Sequence, residues 1–141
     1  MAPRSTAEIK IPAVLTPVHN GSAARREVLS AETDDARRAI WFADEDVIGG
    51  LPAARFDAVV LPVFGGYQVK VTARGLLVDL TLFPDRLDPA ASVDKGLITL
   101  FSGETTVFEG RSRQPLELAL LVSSPVPRCA NDLFGSPVAG R

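Results

Sequence analysis

The chain has 141 residues, enough for one compact domain or for a small sandwich plus part of a neighbour. It is too short for a (β/α)₈ barrel, which needs roughly 200 residues. Hydrophobic residues make up 46% of it and the net charge is -2, so the composition supports a folded core. Its basic residues form no stripe of the kind that binds nucleic acid.

The compartment is predicted from the N-terminus and from Cys129. Residues 1–8 lack the apolar core of a signal peptide, and the longest apolar runs fall far below the ~18 residues of a membrane span. A single cysteine excludes an internal disulfide framework and a four-cysteine zinc site. These features favour the cytoplasm and predict no association with a membrane.

Residues 1–50 are predicted to form a partial β segment. Glu8–Leu15, Arg26–Glu32 and Arg38–Ala43 are its candidate strands. Two glycines and a proline in Ile48–Ala53 then interrupt the pattern, which is typical of a domain boundary or a crossover between sheets.

Residues 54–123 are predicted to form a β-sandwich that begins with a hairpin. In Tyr67–Ala73 apolar and polar side chains alternate, so that one set is buried and the other faces water. Phe56–Val63 is the partner strand, and Gly65 and Gly66 supply the backbone freedom that a tight turn requires.

Four further segments complete the predicted sandwich. Leu76–Phe83 alternates and is stopped by a proline. Leu97–Phe101 and Thr105–Phe108 flank Ser102-Gly-Glu104, a second hairpin signal, and Leu116–Val122 is the last predicted strand. Residues 124–141 are rich in proline and glycine and are predicted to be a loosely ordered tail.

Several segments carry a resemblance to a known family, namely Val93–Phe108 together with Val78–Ala90, Asp35–Phe42, Leu51–Ala53 and Pro127–Leu133. Within Val93–Phe108 an aspartate opens a strand that ends in a Gly-Glu turn, with Asp94, Leu100, Gly103 and Glu104 at the marked positions. Over residues 26–133 the chain resembles the C-terminal immunoglobulin-like domain of glycoside hydrolase family 2 β-mannosidases. The predicted fold is accordingly all-β, an immunoglobulin-like antiparallel sandwich of about seven strands with an additional N-terminal β segment.

The resemblance also implies a role. Family 2 enzymes use two glutamates on a barrel domain, which this chain is too short to contain. The expectation is a non-catalytic accessory module without cofactor or metal, whose partner is a catalytic domain from the same or an adjacent gene. A stand-alone sandwich that binds carbohydrate or protein is the alternative. A second alternative, an enzyme in its own right, predicts a pocket with convergent titratable groups, and no pair in the sequence predicts one.

The polar candidates for chemistry have simpler interpretations. Asp44-Glu-Asp46 lacks the spaced ligands of a calcium loop, and His19 has no partner at metal spacing. Glu104 and Glu109 are an odd number of positions apart, so their side chains are predicted to face opposite sides of a strand. Cys129 follows an arginine but has no base nearby in the sequence.

The aromatic residues could form a sugar platform or a core. Tyr67 lies on the apolar side of its strand and is predicted to be buried. Trp41 and Phe42 could contribute to a sugar platform, and for Trp41 the sequence leaves a second possibility, packing against a preceding domain. No catalytic, cofactor-binding or metal-binding residue is assigned from the sequence.

Overall fold

The computed structural model describes residues 16–18, 26–32, 34, 38–42 and 51–133. The chain divides into two compact units, Met1–Glu45 and Asp46–Arg141, so the division falls a few residues before the boundary predicted after residue 50. The two units are described separately below.

The first unit contains a three-stranded antiparallel sheet. Its strands are β1 (Thr16–Val18), β2 (Arg26–Glu32) and β3 (Arg38–Phe42), in the order β1-β2-β3. The strand predicted at 26–32 is confirmed, and the one predicted at 38–43 ends one residue earlier. The strand predicted at 8–15 lies outside the described residues.

The second unit is an immunoglobulin-like β-sandwich of seven antiparallel strands, as the sequence predicts. The strands are β4 (Phe56–Val63), β5 (Gly66–Ala73), β6 (Leu77–Leu82), β7 (Ser92–Val93), β8 (Ile98–Leu100), β9 (Thr105–Arg111) and β10 (Pro127–Arg128). One sheet has the order β4-β5-β9-β7 and the other β10-β6-β8. After the β4–β5 hairpin, each connection among these strands passes from one sheet to the other.

The core lies between these two sheets. Alternate side chains of β5, including Tyr67, Val69 and Val71, are buried against residues of β6 such as Leu77 and Leu80. The buried and exposed positions of β5 alternate as the sequence pattern predicts, because successive side chains of a strand point to opposite faces.

The β4–β5 hairpin is confirmed in its predicted register. Every residue of Phe56–Val63 opposes one of Gly66–Ala73, and a two-residue turn joins them. Gly65 has a φ of 75°, a left-handed conformation that glycine adopts without steric cost.

The second predicted hairpin, at Ser102–Glu104, is wrong. β8 pairs with β6 and β9 pairs with β5, so the turn carries the chain between sheets. The backbone at Gly103 and Glu104 bonds to Ala73 of β5, at 2.8 and 2.9 Å, and the Glu104 carboxylate accepts a bond from the Phe101 amide at 2.9 Å. These bonds replace the ladder that a hairpin would form.

The last predicted strand, at 116–122, is also absent. The amides of Leu120 and Leu121 bond to carbonyls three residues earlier, which makes a 3₁₀ turn over Leu120–Val122. Leu116, Leu118 and Val122 still pack on the core, but Leu120 of the same alternating set is 42% exposed, and Leu121, outside that set, is completely buried. The alternation predicts burial correctly only up to the 3₁₀ turn, where the period of a strand no longer applies.

The sandwich extends beyond the boundary predicted at residue 123. β10 pairs with β6, a 3₁₀ turn follows at Ala130–Leu133, and Val126, Cys129 and Asn131 are buried. Pro125 and Pro127, two of the prolines that suggested a loose tail, therefore lie in a segment that closes one edge of the second sheet.

Candidate functional site

The structure separates the polar residues that the sequence singles out. His19 and Asp44–Asp46 lie outside the described residues. Glu104 is half-buried in the turn before β9, whereas Glu109 is exposed within β9. The two glutamates therefore occupy different environments and do not form a carboxylate pair at one substrate bond.

Cys129 is a buried core residue. Burial raises the pKa of its thiol to about 11, and the neighbouring Asp132 carboxylate contributes to the rise. Since the thiolate is the nucleophilic form, this thiol is unreactive at neutral pH. Its backbone amide donates to Asp132 Oδ2 at 3.0 Å, which fixes the local turn.

Tyr67 is buried, as predicted, and it shapes the surface around it. Its ring lies against Gly110, its cross-strand partner on β9, and its hydroxyl donates to the Ser92 carbonyl at 3.4 Å. Burial raises the pKa of this phenol to about 12. Tyr67 thus joins β5, β7 and β9 beneath the open end of the sheet.

Trp41 is 59% exposed on β3 of the first unit. A sugar platform and a contact with another domain, the two roles that the sequence leaves open for Trp41, both require an exposed side chain. Phe42 beside it is half-buried. The exposed indole is a large apolar surface for which the described residues of its own unit provide no cover.

An apolar row runs along the outer face of β4. Val59, Leu61 and Val63 are 55%, 51% and 44% exposed, whereas the alternate residues Ala58 and Val60 pack on the core. The sequence held a signal for this row, because residues 58–63 are a continuous run of apolar residues rather than an alternating one. Both faces of β4 are therefore apolar, although only one of them is covered within the unit.

Among residues 51–133, one backbone edge of the same strand has no paired strand. The Arg74 amide bonds to the Arg55 carbonyl at 2.8 Å, which places the polar backbone groups of odd-numbered β4 residues towards β5. Those of Phe56, Ala58 and Val60 point away from β5 and have no backbone partner among residues 51–133. β4 is thus a sheet edge that can accept another strand.

Beyond the end of the row, the β4–β5 turn borders an open cavity of about 600 Å³. Phe64 lies at the tip of the turn and is fully exposed. Gln68, Asp94, Glu109 and Arg111 supply polar walls. From the sequence, Phe64 was interpreted only as part of a turn. The feature that could have marked it as functional is its large aromatic side chain at a position where turns favour small or polar residues.

The polar walls of this cavity are held by cross-strand bonds. Asp94 Oδ1 accepts a bond from the Glu109 amide at 2.8 Å, and Gln68 Nε2 lies 3.5 Å from Glu109 Oε1. Lys95 Nζ is 3.9 Å from Asp94 Oδ2. The Arg111 guanidinium makes no hydrogen bond or ion pair with the described part of the chain and is free to contact a ligand.

Across the described segments, no three His, Cys, Asp or Glu side chains are grouped so that they could hold a metal ion. The same segments contain no helix with the length and hydropathy needed to cross a bilayer.

No protein-family model matches this sequence, and a search of curated proteins also gives no match. The candidate sites of the second unit are two surfaces, the apolar row with its open edge and the cavity beside Phe64.

Proposed function

We propose that this chain is a non-catalytic β-sandwich module of a β-mannosidase-like glycoside hydrolase. It supports hydrolysis of β-mannosides by a catalytic barrel that lies outside these 141 residues. The resemblance over residues 26–133 suggests the family, and the immunoglobulin-like sandwich is the fold which that resemblance implies. The proposed location is the cytoplasm, where a buried, unpaired Cys129 remains reduced.

The observation that carries the proposal is the apolar row of Val59, Leu61 and Val63. Each side chain is about half exposed, so covering it would contribute about 1 kcal/mol, or about 3 kcal/mol for the row. Three aligned apolar side chains on one exposed strand form a contiguous surface, which is more typical of an interaction site than single exposed residues are.

The open backbone edge of β4 gives the partner a second means of attachment. Amides and carbonyls at Phe56, Ala58 and Val60 can pair with an extended segment of the catalytic domain while the row packs on it. Pro62 has no amide, so this pairing is limited to the first part of the strand. A module docked in this way stabilises its neighbour without contributing residues to the chemistry.

The test is to mix the purified chain with the product of the adjacent upstream gene and to measure hydrolysis of an aryl β-mannoside. We expect complex formation and a gain of activity only in the mixture. Turnover by the chain alone would contradict the non-catalytic role, and the absence of any complex would contradict the module.

Matched variants locate the contact. Leu61→Lys places a charge in the row, and we expect at least a tenfold loss of affinity for the catalytic component. Leu97→Lys makes the same change at a more exposed leucine beside β8, in the other sheet, and should leave affinity unchanged. Equal losses in both variants would remove the row as the docking surface.

The alternative function is a stand-alone sandwich that binds carbohydrate or protein. The exposed Phe64 beside a polar cavity is the observation that favours it. The same mixing experiment separates the two roles, because a stand-alone binding module should form no complex with the upstream product and should not change its activity.

A further inference from the structure

We propose that the cavity beside Phe64 is a binding site for a neutral sugar ring. The inference concerns the second unit alone and does not depend on docking through β4. Its support comes from the size of the cavity, the balance of its charges, the exposed aromatic ring and the rigidity of its floor.

The cavity has the size and openness that a saccharide requires. Its volume of about 600 Å³ lies within the roughly 300–1,000 Å³ of small-molecule sites. It opens at the end of the sheet between the β4–β5 turn and β7. A ligand there can continue into solvent, which suits a unit within a longer chain of sugars.

The charges select a neutral ligand. Among the lining residues Asp94 and Glu109 are opposed by Arg111, and Lys95, which lies just outside the lining, has its Nζ 3.9 Å from Asp94. The formal charges of these four residues cancel, so neither an anion nor a cation is favoured by the local field. The carboxylate, amide and guanidinium groups of the cavity walls can donate hydrogen bonds to hydroxyl groups and accept hydrogen bonds from them.

Phe64 supplies the apolar contact that a pyranose ring needs. A sugar presents hydroxyl groups around its edge and C–H groups on its face, and the C–H face packs on an aromatic ring. The Phe64 ring is fully exposed at the cavity rim and has no role in the core of the sandwich. An exposed aromatic side chain beside a polar cavity is suited to anchor a ligand.

Contacts within the sandwich hold the floor and walls of the cavity in place. Tyr67 is locked against Gly110 and bonded to Ser92, and Asp94 is held by the Glu109 amide. A preorganised site loses less conformational entropy when it binds. Because the site is open and presents one aromatic ring, we expect a dissociation constant of about 1 mM for a single sugar unit.

The experiment is a titration of the ¹⁵N-labelled full chain with methyl β-mannopyranoside, followed by amide chemical shifts. We expect saturable shifts confined to Gly65, Gln68, Asp94, Glu109 and Arg111. Phe64→Ala should weaken binding about tenfold while the rest of the spectrum stays unchanged, since this side chain is outside the core. Leu97→Ala, which removes an exposed apolar side chain from the other sheet, should bind as the parent does.

Two further probes decide the chemistry. Glycerol has hydroxyl groups but no ring face, so it tests whether hydroxyl groups alone are sufficient for binding. Propylammonium is a small organic cation, so it tests whether the cavity prefers a positive charge. Equal shifts with glycerol, preferential binding of propylammonium, no saturable shift with the sugar, or unaltered affinity in Phe64→Ala would each overturn the proposal. None of these measurements uses a catalytic partner, so the outcome is separate from that of the docking test.

Discussion

The side chain of Asn131 accepts a hydrogen bond from the backbone amide of Val78 at 2.8 Å. Its Nδ2 atom donates to the carbonyls of Leu76 and Pro52, at 2.8 and 2.9 Å. Asn131 is completely buried, and one amide group therefore joins the segment before β4, the start of β6 and the last described turn. The position requires a side chain that both donates and accepts hydrogen bonds, because it donates to two carbonyls and accepts from one amide.

Asn131→Asp should be strongly destabilising. The carboxylate retains the acceptor for Val78 but loses both donated bonds, and it places a charge against two buried carbonyls. We expect the free energy of unfolding to fall by about 3 kcal/mol in urea denaturation at neutral pH. The deficit should shrink at acid pH, where a protonated carboxyl can donate one bond. Unchanged stability would show that the three segments are held together by other contacts.

Gly110→Ala should disrupt the packing of Tyr67. A Cβ atom at this position would overlap the buried phenol ring, which has no space to move within the core. We expect a loss of about 2 kcal/mol or more in thermal or urea unfolding. Gly75→Ala is the matched control, since a Cβ there meets no atom within 4 Å, and it should be close to neutral.

Leu97→Asn should stabilise the sandwich slightly. Leu97 has a φ of 55°, a left-handed conformation that is unfavourable for leucine, and it is 72% exposed, so little burial is lost on substitution. We expect a gain of about 0.5 kcal/mol, measured as a higher midpoint in urea. Leu133→Asn, at another exposed leucine without a left-handed φ, serves as the control and should show no gain.

Alkaline pH should destabilise the fold in part through Cys129. Burial raises the pKa of the folded thiol to about 11, whereas an unfolded thiol titrates near pH 8.5. The protonated Cys129 thiol therefore contributes fully to the free energy of unfolding below about pH 8.5, and this contribution is lost as the pH rises towards 11. Cys129→Ala should lower baseline stability but show a shallower decline over this range in urea unfolding.

Reactivity gives an independent check on the same residue. At pH 8 a thiol-specific reagent should label the folded chain very slowly and the urea-unfolded chain rapidly, because the buried thiol is protonated. Rapid labelling of the folded chain would contradict the burial of Cys129.

The sequence predicted the structure correctly where an apolar pattern has only one structural explanation. In β5, alternation from Tyr67 onwards reflects burial on one face and solvent on the other, and the two-residue turn with Gly65 set the register with β4. It failed at Gly103, because a glycine turn permits both a hairpin and a crossing between sheets. Backbone bonds to Ala73, which is distant in sequence, decide between the two.

The candidate site was harder to foresee for a related reason. Asp94 and Glu109 approach Phe64 only after β7, β9 and the first hairpin have assembled, so no local pattern brings them together. The exposed row on β4 was partly visible in the unbroken apolar run of residues 58–63. What the run could not reveal is which of its two faces the core would cover.

The repeated passage of the chain between the two sheets has a consequence for how the second unit acquires its structure. Past the first hairpin, each strand finds its hydrogen-bonded neighbours among strands that are not adjacent in sequence. Neither of the two sheets is therefore formed by one continuous stretch of sequence that could fold by itself. Assembly is accordingly all-or-none, and it should wait until the residues that form β10 have been synthesised.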